Sequence, residues 1–371
     1  MGKYKPFVVL GPGDSIKEEL EYYGWEQKDL AEIMGRTEKN ISQLLTNKAP
    51  VTFETALQLS KIFKQTPQFW LNLDANYRQR MQENATIKAT AAKALIYRYM
   101  PVRELRKYLD LPQKVDILVA AVCKFWDIDK PDFGFLEKQI IANFRKSDAH
   151  NNFNPYYALS WLQLIRNHIA DIKLKSEYSE KKLKALAREI PVYTASDNGI
   201  TQFIEALEAC GVIFVQLEHM PQTYTDGASL WHGKTPVIAY TARYDRNDNF
   251  WFTVAHEIGH LLLHRNDSKS FFIDSLDHLD CTDKKEDEAN KFAEEVLKTK
   301  QILAAFKTVL RPSSVRIRIL AKELGVHPAI ICGCLQHHGK ASWTSFHELK
   351  TDALSQIPTR VIISRVNQRA T

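Results

Sequence analysis

Cysteine is scarce in this chain: five among 371 residues, at Cys123, Cys210, Cys281, Cys332 and Cys334. An odd, scattered set of that kind excludes the dense disulfide framework of a small secreted domain and implies reduced thiols. Long apolar runs are missing as well. No stretch approaches the roughly 18 residues that a membrane helix needs, and residues 1–10 hold one short apolar run without a signal-type cleavage site. Internal repeats and low-complexity tracts are absent too. Together these absences predict a cytoplasmic protein with no membrane partner. Charge of one sign is not in large excess, since 50 basic and 44 acidic residues leave a net +6. Such a balance permits a nucleic-acid partner without demanding one.

What remains is ordinary globular material, 44% hydrophobic and 25% charged, in a chain long enough for two or three domains. Residues 12–81 read as a tight array of short helices. Pro12 to Ser15 cap a first helix that Gly24 closes; Gln27 to Met34 carries Leu30, Ala31 and Met34 at helical spacing. Gly35 breaks that helix and Thr37 caps a third, Glu38 to Leu45, with Ile41, Leu44 and Leu45 facing inward. Two helices joined by a short glycine-containing turn form a helix-turn-helix. Thr52 caps a fourth helix with Ala56, Leu59 and Phe63 buried, and Thr66-Pro67 opens a fifth carrying Phe69, Trp70 and Leu73.

From about Asn84 to Glu189 the pattern stays helical, broken at Pro101, Pro112, Pro131 and Pro155, and reads as a connecting region without evident chemistry. Around Pro191 the period changes. Gly211 to Leu217 is a β-rich run, and Gly227 to Trp231 and Thr235 to Tyr240 form a hairpin across His232-Gly233-Lys234. A helix from Phe250 to Leu263, a polar loop to Asp283 and a helix from about Glu286 to Thr299 follow, before a C-terminal helical piece.

The first of these helices contains His256-Glu257-Ile258-Gly259-His260, an H-E-x-x-H sequence. Four-residue spacing puts both imidazoles on one helix face, where each can reach a single zinc ion at roughly 2.0–2.1 Å. Glu257 then sits beside the ion as a general base for water. Val254, Ala255, Ile258, Leu261 and Leu262 make the other positions apolar, as a buried active-site helix requires. A catalytic zinc needs a third protein ligand and an open position. Glu288, sharing a face with Phe292 and Glu295 on the next helix, is the expected ligand, with Glu286 as runner-up. His264 lies about 12 Å along the axis from His256 in an unbroken helix and reads as a helix-end histidine. Cys332-Gly333-Cys334 with His337 and His338 fits no common zinc spacing and reads as core.

On the helix-turn-helix, the outward positions of the third helix are Glu38, Lys39, Asn40 and Gln43, with Arg36 and Thr37 before it and Asn47 and Lys48 after it. Asn and Gln can read adenine edges, while Lys, Arg and Thr suit phosphates and bases. Gln27, opening the second helix, is placed to hold a phosphate at a helix N-terminus. The alternative is a protein-docking module whose exposed face is merely solvated.

Residues 12–77 resemble the HigA-type antitoxin helix-turn-helix of the Xre-like repressors, in Pro12-Gly13, Thr52 to Leu57 and Phe69 to Tyr77. Residues from about 190 to 300 resemble the ImmA/IrrE metallopeptidases, in Phe252 to His264 and in Glu288 to Ala293. The stretch 310–350, with Ala321 to Pro328 and Leu335 to Lys340, is similar to the tail that often follows such peptidases. One departure concerns the cleft's lower edge: the family commonly continues Phe-Ala-x-x-Leu-Leu-Met-Pro, where this chain has Val296 to Thr299.

The resemblance implies Zn2+ on His256, His260 and Glu288 with Glu257 as base, and cleavage of a repressor-like or antitoxin-like protein. It also implies operator DNA bound by the first domain, often as a homodimer. A second reading is an antitoxin and autorepressor that binds a cognate toxin, its zinc domain a sensing or binding module without turnover. The expected fold is α+β and mostly helical. Residues 1–82 form a five-helix DNA-binding domain, 83–190 a helical connecting region, 191–305 a zincin-like peptidase domain with a small antiparallel sheet, and 306–371 a helical extension.

Overall fold

The structure, a computed structural model, describes residues 10–81, 85–143, 153–264 and 283–366. Cys281, the boundary near residue 82 and most of the polar loop before Asp283 lie outside the described residues. The chain divides into two compact units, Met1–Ala92 and Lys93–Thr371. No helix among the described residues is long and apolar enough to cross a membrane.

The first unit begins with α1 (Pro12–Tyr23), α2 (Gln27–Met34), α3 (Glu38–Leu45), α4 (Phe53–Ile62) and α5 (Pro67–Met81). Gly35, at φ 62°, adopts the left-handed conformation that lets α2 stop and the chain turn into α3. Thr37 then accepts the backbone N–H of Asn40 and caps α3. Ile16, Leu30, Ile41, Ala56, Leu59 and Trp70 are fully buried and close one core. Phe69, expected inside, is 42% exposed, because Trp70 one residue on takes the inward position of α5.

The second unit is organised around a three-stranded sheet: β1 (Ile213–Gln216), β2 (Gly227–His232) and β3 (Thr235–Tyr240). Its order is β1-β3-β2; β2 and β3 form the expected antiparallel hairpin, turning at Gly233 with φ 61°. β1, however, pairs with β3 in parallel, so the sheet is mixed where an antiparallel one was expected. Alternation along the strands sends side chains to two dry faces. Phe214, Trp231, Ile238 and Tyr240 enter one core with α11 (Glu180–Thr194), α12 (Gly199–Ala209) and α13 (Asn247–Leu263). The same core takes in α14 (Asp283–Val296), α15 (Thr299–Ala305), α16 (Ser314–Leu324) and α17 (Pro328–His337).

Ile213, Val215, Val237 and Ala239 point the other way. Over them pack the end of α6 (Ala85–Tyr99), α7 (Val102–Leu105), α8 (Val115–Trp126), α9 (Gly134–Asn143) and α10 (Pro155–Ile169). The segment read as a connector is therefore the cover of one sheet face. Pro191 lies inside α11 and is buried, so the boundary expected at 190/191 falls within an element of the core.

Candidate metal centre

α13 is buried on nearly every side: Phe250, Val254, Ala255 and Ile258 are fully enclosed, and Glu257 and His260 are 5% and 3% exposed. A helix apolar around its circumference is one that a protein core surrounds. One turn separates His256 from His260, and their Nε2 atoms stand 2.9 Å apart.

The third group is Glu286. Its Oε2 lies 3.1 Å from His256 Nε2 and its Oε1 3.3 Å from His260 Nε2. Glu288, the expected ligand, is elsewhere: its carboxylate faces His264 Nδ1 at 3.8 Å and Lys284 at 3.9 Å. The reason is helical phase. The buried stripe of α14 is Ala289 and Ala293, continued by Leu297 just past its end, and at 100° per residue Glu286 and Asn290 border that stripe whereas Glu288 does not. Phe292, taken as the marker of the inner face, is only partly buried.

Gly259 sets the distance between the two helices. A Cβ there would come 3.1 Å from the Phe292 ring and 3.2 Å from the Cα of Ala289, so the bare glycine lets α14 approach until Glu286 reaches the imidazoles. Asn290 completes the arrangement by accepting a hydrogen bond from His256 Nδ1 through Oδ1 at 3.0 Å. Held at Nδ1 by this contact, the His256 ring turns its Nε2 toward Glu286. His264 donates from Nε2 to the carbonyl of Lys285 at 3.2 Å, tying the end of α13 to the start of α14.

Electrostatics fit this geometry. Burial pushes the Glu286 carboxyl up, but hydrogen bonds from His256 and His260 and their charge outweigh it and hold the group well below the usual carboxylate range. Burial pulls His256 down, and Glu286 and Glu257 more than restore it. Glu257 is raised by burial, against the pull of the two imidazoles and the Ser229 hydroxyl. Its Oε2 has no hydrogen-bond partner among the described residues.

The ligand atoms of His256, His260 and Glu286 lie within 4.8 Å of one another. Two donors at zinc-ligand distance from a tetrahedral ion are about 3.3 Å apart, and the two imidazole nitrogens, 2.9 Å apart, each have one Glu286 oxygen at 3.1 or 3.3 Å, spacings that suit one divalent ion held by the two rings and the carboxylate. The group opens onto a cleft of about 300 Å³ lined by Thr223 to Ala228 on the approach to β2, by Asn249 and Phe252 of α13, and by Trp161 and Leu162 of α10. Sequence reasoning missed α10 because a covering helix carries no motif. Cys332 is fully buried, while Cys334, His337 and His338 line a neighbouring cavity.

In the first unit Glu38, Lys39, Asn40, Gln43, Thr37 and Lys48 are exposed and Arg36 is half-buried. Asn47 is occupied internally: Oδ1 accepts from Gly13 N at 2.7 Å and Nδ2 donates to Asp14 at 3.1 Å. Gln27 donates from Nε2 to the Glu38 carbonyl at 2.9 Å. The N-terminus of α2 is flanked by Glu26 and Asp29, a poor setting for a phosphate.

A mixed sheet over an H-E-x-x-H helix, with a carboxylate from the following helix, defines a metallopeptidase-type domain, here following a helix-turn-helix. Residues 212–333 match the peptidase family model described as an IrrE N-terminal-like domain. The first domain is 34% identical over 80 residues to an HTH-type transcriptional regulator of Haemophilus influenzae, covering 19% of this chain and 75% of that protein. It is 40% identical over 62 residues to the HTH-type transcriptional regulator YddM of Escherichia coli, covering 17% of this chain and 66% of the relative. A third, YbaQ of Escherichia coli, is 38% identical over 65 residues, 17% of this chain and 58% of its own length. The chain thus belongs to the HTH-type transcriptional regulators, with an IrrE N-terminal-like domain fused behind the helix-turn-helix.

Proposed function

We propose that this protein is a cytoplasmic, DNA-binding transcriptional regulator whose second unit is a zinc-dependent endopeptidase acting on a regulatory protein partner. The observation that carries the peptidase reading is Glu257: a buried carboxylate, with one oxygen unpartnered among the described residues, between two imidazoles that converge with Glu286. His256, His260 and Glu286 would hold the ion, in place of the set with Glu288. Zinc, when bound, supplies Lewis acidity beside the peptide carbonyl and an acidified water. The protein supplies the rest. Asn290 fixes the His256 tautomer, and the cleft walls from α10 and residues 223–228 align an extended segment. Glu257, its proton affinity raised by burial, takes the proton of the attacking water and delivers it to the departing amine. In the first unit the exposed side of α3, with Lys39, Asn40 and Gln43, is the face offered to operator DNA, and Arg36, Thr37, Glu38 and Lys48 surround it.

The test uses the full chain loaded with zinc and incubated with the protein products of its neighbouring genes. A discrete cut made by the native chain, and not by a Glu257→Gln variant that still holds zinc, is expected. Equal cutting by both would overturn the mechanism, and operator binding without any cutting would leave the regulator with a zinc module that does not turn over.

A further inference from the structure

Phe252 stands one turn before His256 on α13, and its ring has an imidazole on either side. His256 lies 6.3 Å away with 29° between the planes, and His337, from the end of α17, lies 6.3 Å away at 32°. Beyond that ring opens a second cavity, of about 620 Å³, which shares Asp226, Asn249 and Phe252 with the cleft. Phe252 is therefore a partition between the candidate metal ligands and a space larger than the cleft itself.

Most charges in the wall of this space already have partners; Asp226, at the edge shared with the cleft, has its Oδ1 3.9 Å from Arg243, though that oxygen accepts no hydrogen bond among the described residues. Asp248, 6% exposed, is gripped by Arg246 at 3.0 Å and by Lys350 at 2.9 Å. The Arg246 guanidinium lies over the rings of Tyr244 and Trp343 at 5.8 and 5.5 Å, and Glu294 faces His338 at 3.8 Å. Away from that shared edge, what is left for a guest is mainly apolar and aromatic surface from Phe252, Leu297, Ile330 and Trp343. A charged guest would have to break the pairs that exist, whereas an apolar one displaces only water.

We propose that this cavity is the specificity pocket of the peptidase and receives a bulky apolar side chain of the substrate, phenylalanine-sized or larger. The distance limits its place in the substrate. An extended chain advances about 3.3–3.6 Å per residue, and two ring-to-ring steps of 6.3 Å lead from His256 through Phe252 to His337. The side chain therefore belongs to a residue within about four of the cut bond. This assignment rests on the peptidase reading.

The test measures binding and cutting separately. Acetyl-Gly-Phe-Gly-amide and acetyl-Gly-Ala-Gly-amide are titrated by ligand-observed NMR against the full-length Glu257→Gln chain. The pocket assignment expects the phenylalanine peptide to bind at least tenfold tighter, and to lose that advantage when Cys334→Phe fills the cavity. Trp343→Ala, a change at a 54% exposed side chain, should weaken the same peptide and serves should Cys334→Phe fail to fold. Equal affinity of the two peptides, or a preference that neither variant alters, overturns the assignment. In parallel, a proteome-derived peptide library digested by the zinc-loaded native chain should show enrichment of large apolar residues at one fixed position, and random residues there would also overturn it. A chain that binds the phenylalanine peptide as expected yet cuts nothing counts against the peptidase reading and leaves the pocket as a binding site.

Discussion

His256 and Asn290 belong to different helices, yet the amide oxygen of one lies 3.0 Å from Nδ1 of the other, one turn along α14 from the carboxylate that faces both imidazoles. The relationship ties ring orientation at the candidate metal centre to the same helix phase that presents Glu286. Metal binding should therefore be sensitive to three positions on α14 in a definite order. Glu286→Ala should lower zinc affinity the most, by a hundredfold or more. Asn290→Ala should lower it by about 10–100-fold, the usual cost of losing a partner that orients a ligand. Glu288→Ala should change it less than threefold. Competition with a chromogenic chelator measures all three, and a larger loss at Glu288 than at Glu286 would reverse the ligand assignment.

Gly259 offers a second handle on the same geometry. Valine at this position places a Cβ 3.1 Å from the Phe292 ring, with two further methyl groups behind it. Overpacking of this kind costs about 1–3 kcal/mol. Alanine is gentler, since its helix propensity exceeds glycine's by about 0.5–1 kcal/mol and offsets part of the crowding. Both substitutions push α14 outward, so zinc affinity should fall for both, while urea unfolding should separate them, with Gly259→Val clearly destabilised and Gly259→Ala near native. Unchanged zinc affinity in Gly259→Val would show that helix spacing does not position Glu286.

On the helix-turn-helix, exposed side chains and structural ones sit within a few residues of each other. Asn47 has φ 60° and bridges Gly13 and Asp14. Removing its amide strips the start of α1 of that hydrogen bond, so Asn47→Ala should lower stability by about 1–2 kcal/mol. The pair Lys39→Ala and Gln43→Ala, both exposed, should leave stability within about 0.5 kcal/mol. That double variant should weaken binding to the DNA upstream of the protein's own coding region by tenfold or more, read by gel shift. Intact DNA binding in it would move the recognition face off α3.

How far the sequence carries depends on whether a feature is local. The limits of α2 and α3 match the expected Gln27–Met34 and Glu38–Leu45, because Gly35 and Thr37 act through backbone conformation and a cap within their own turn. The hairpin at Gly233 is likewise local. Pairing of β1 with β3 is not: nothing in Ile213 to Gln216 tells a run buried on both faces whether its neighbour runs parallel. α12 was passed over because Pro191 read as the end of helical structure, whereas α11 continues past it to Thr194, whose hydroxyl donates to the Pro191 carbonyl. Two imidazoles were legible in the H-E-x-x-H spacing, but the choice between Glu286 and Glu288 turned on helix phase. Ala289, Ala293 and Leu297 were the signal, and the larger Phe292 obscured it.

The two cysteines of α17 give a prediction in which pH has a definite sign. Burial pushes the thiols of Cys332 and Cys334 from 9.0 up to about 12, because the apolar core and cavity wall disfavour the thiolate. A group whose folded value is raised stabilises the fold fully below its unfolded value and loses that contribution as pH climbs toward the folded one. The second unit should hence be stable through pH 8 and weaken progressively between about 9 and 12. Reactivity follows the same shift, for three pH units reduce the thiolate fraction about a thousandfold. Iodoacetamide at pH 8.5 should leave both residues unmodified in the native chain and alkylate them rapidly in denaturant, as peptide mass spectrometry would show. Rapid alkylation of Cys332 in the native state would mean that α17 does not pack against α13 as described.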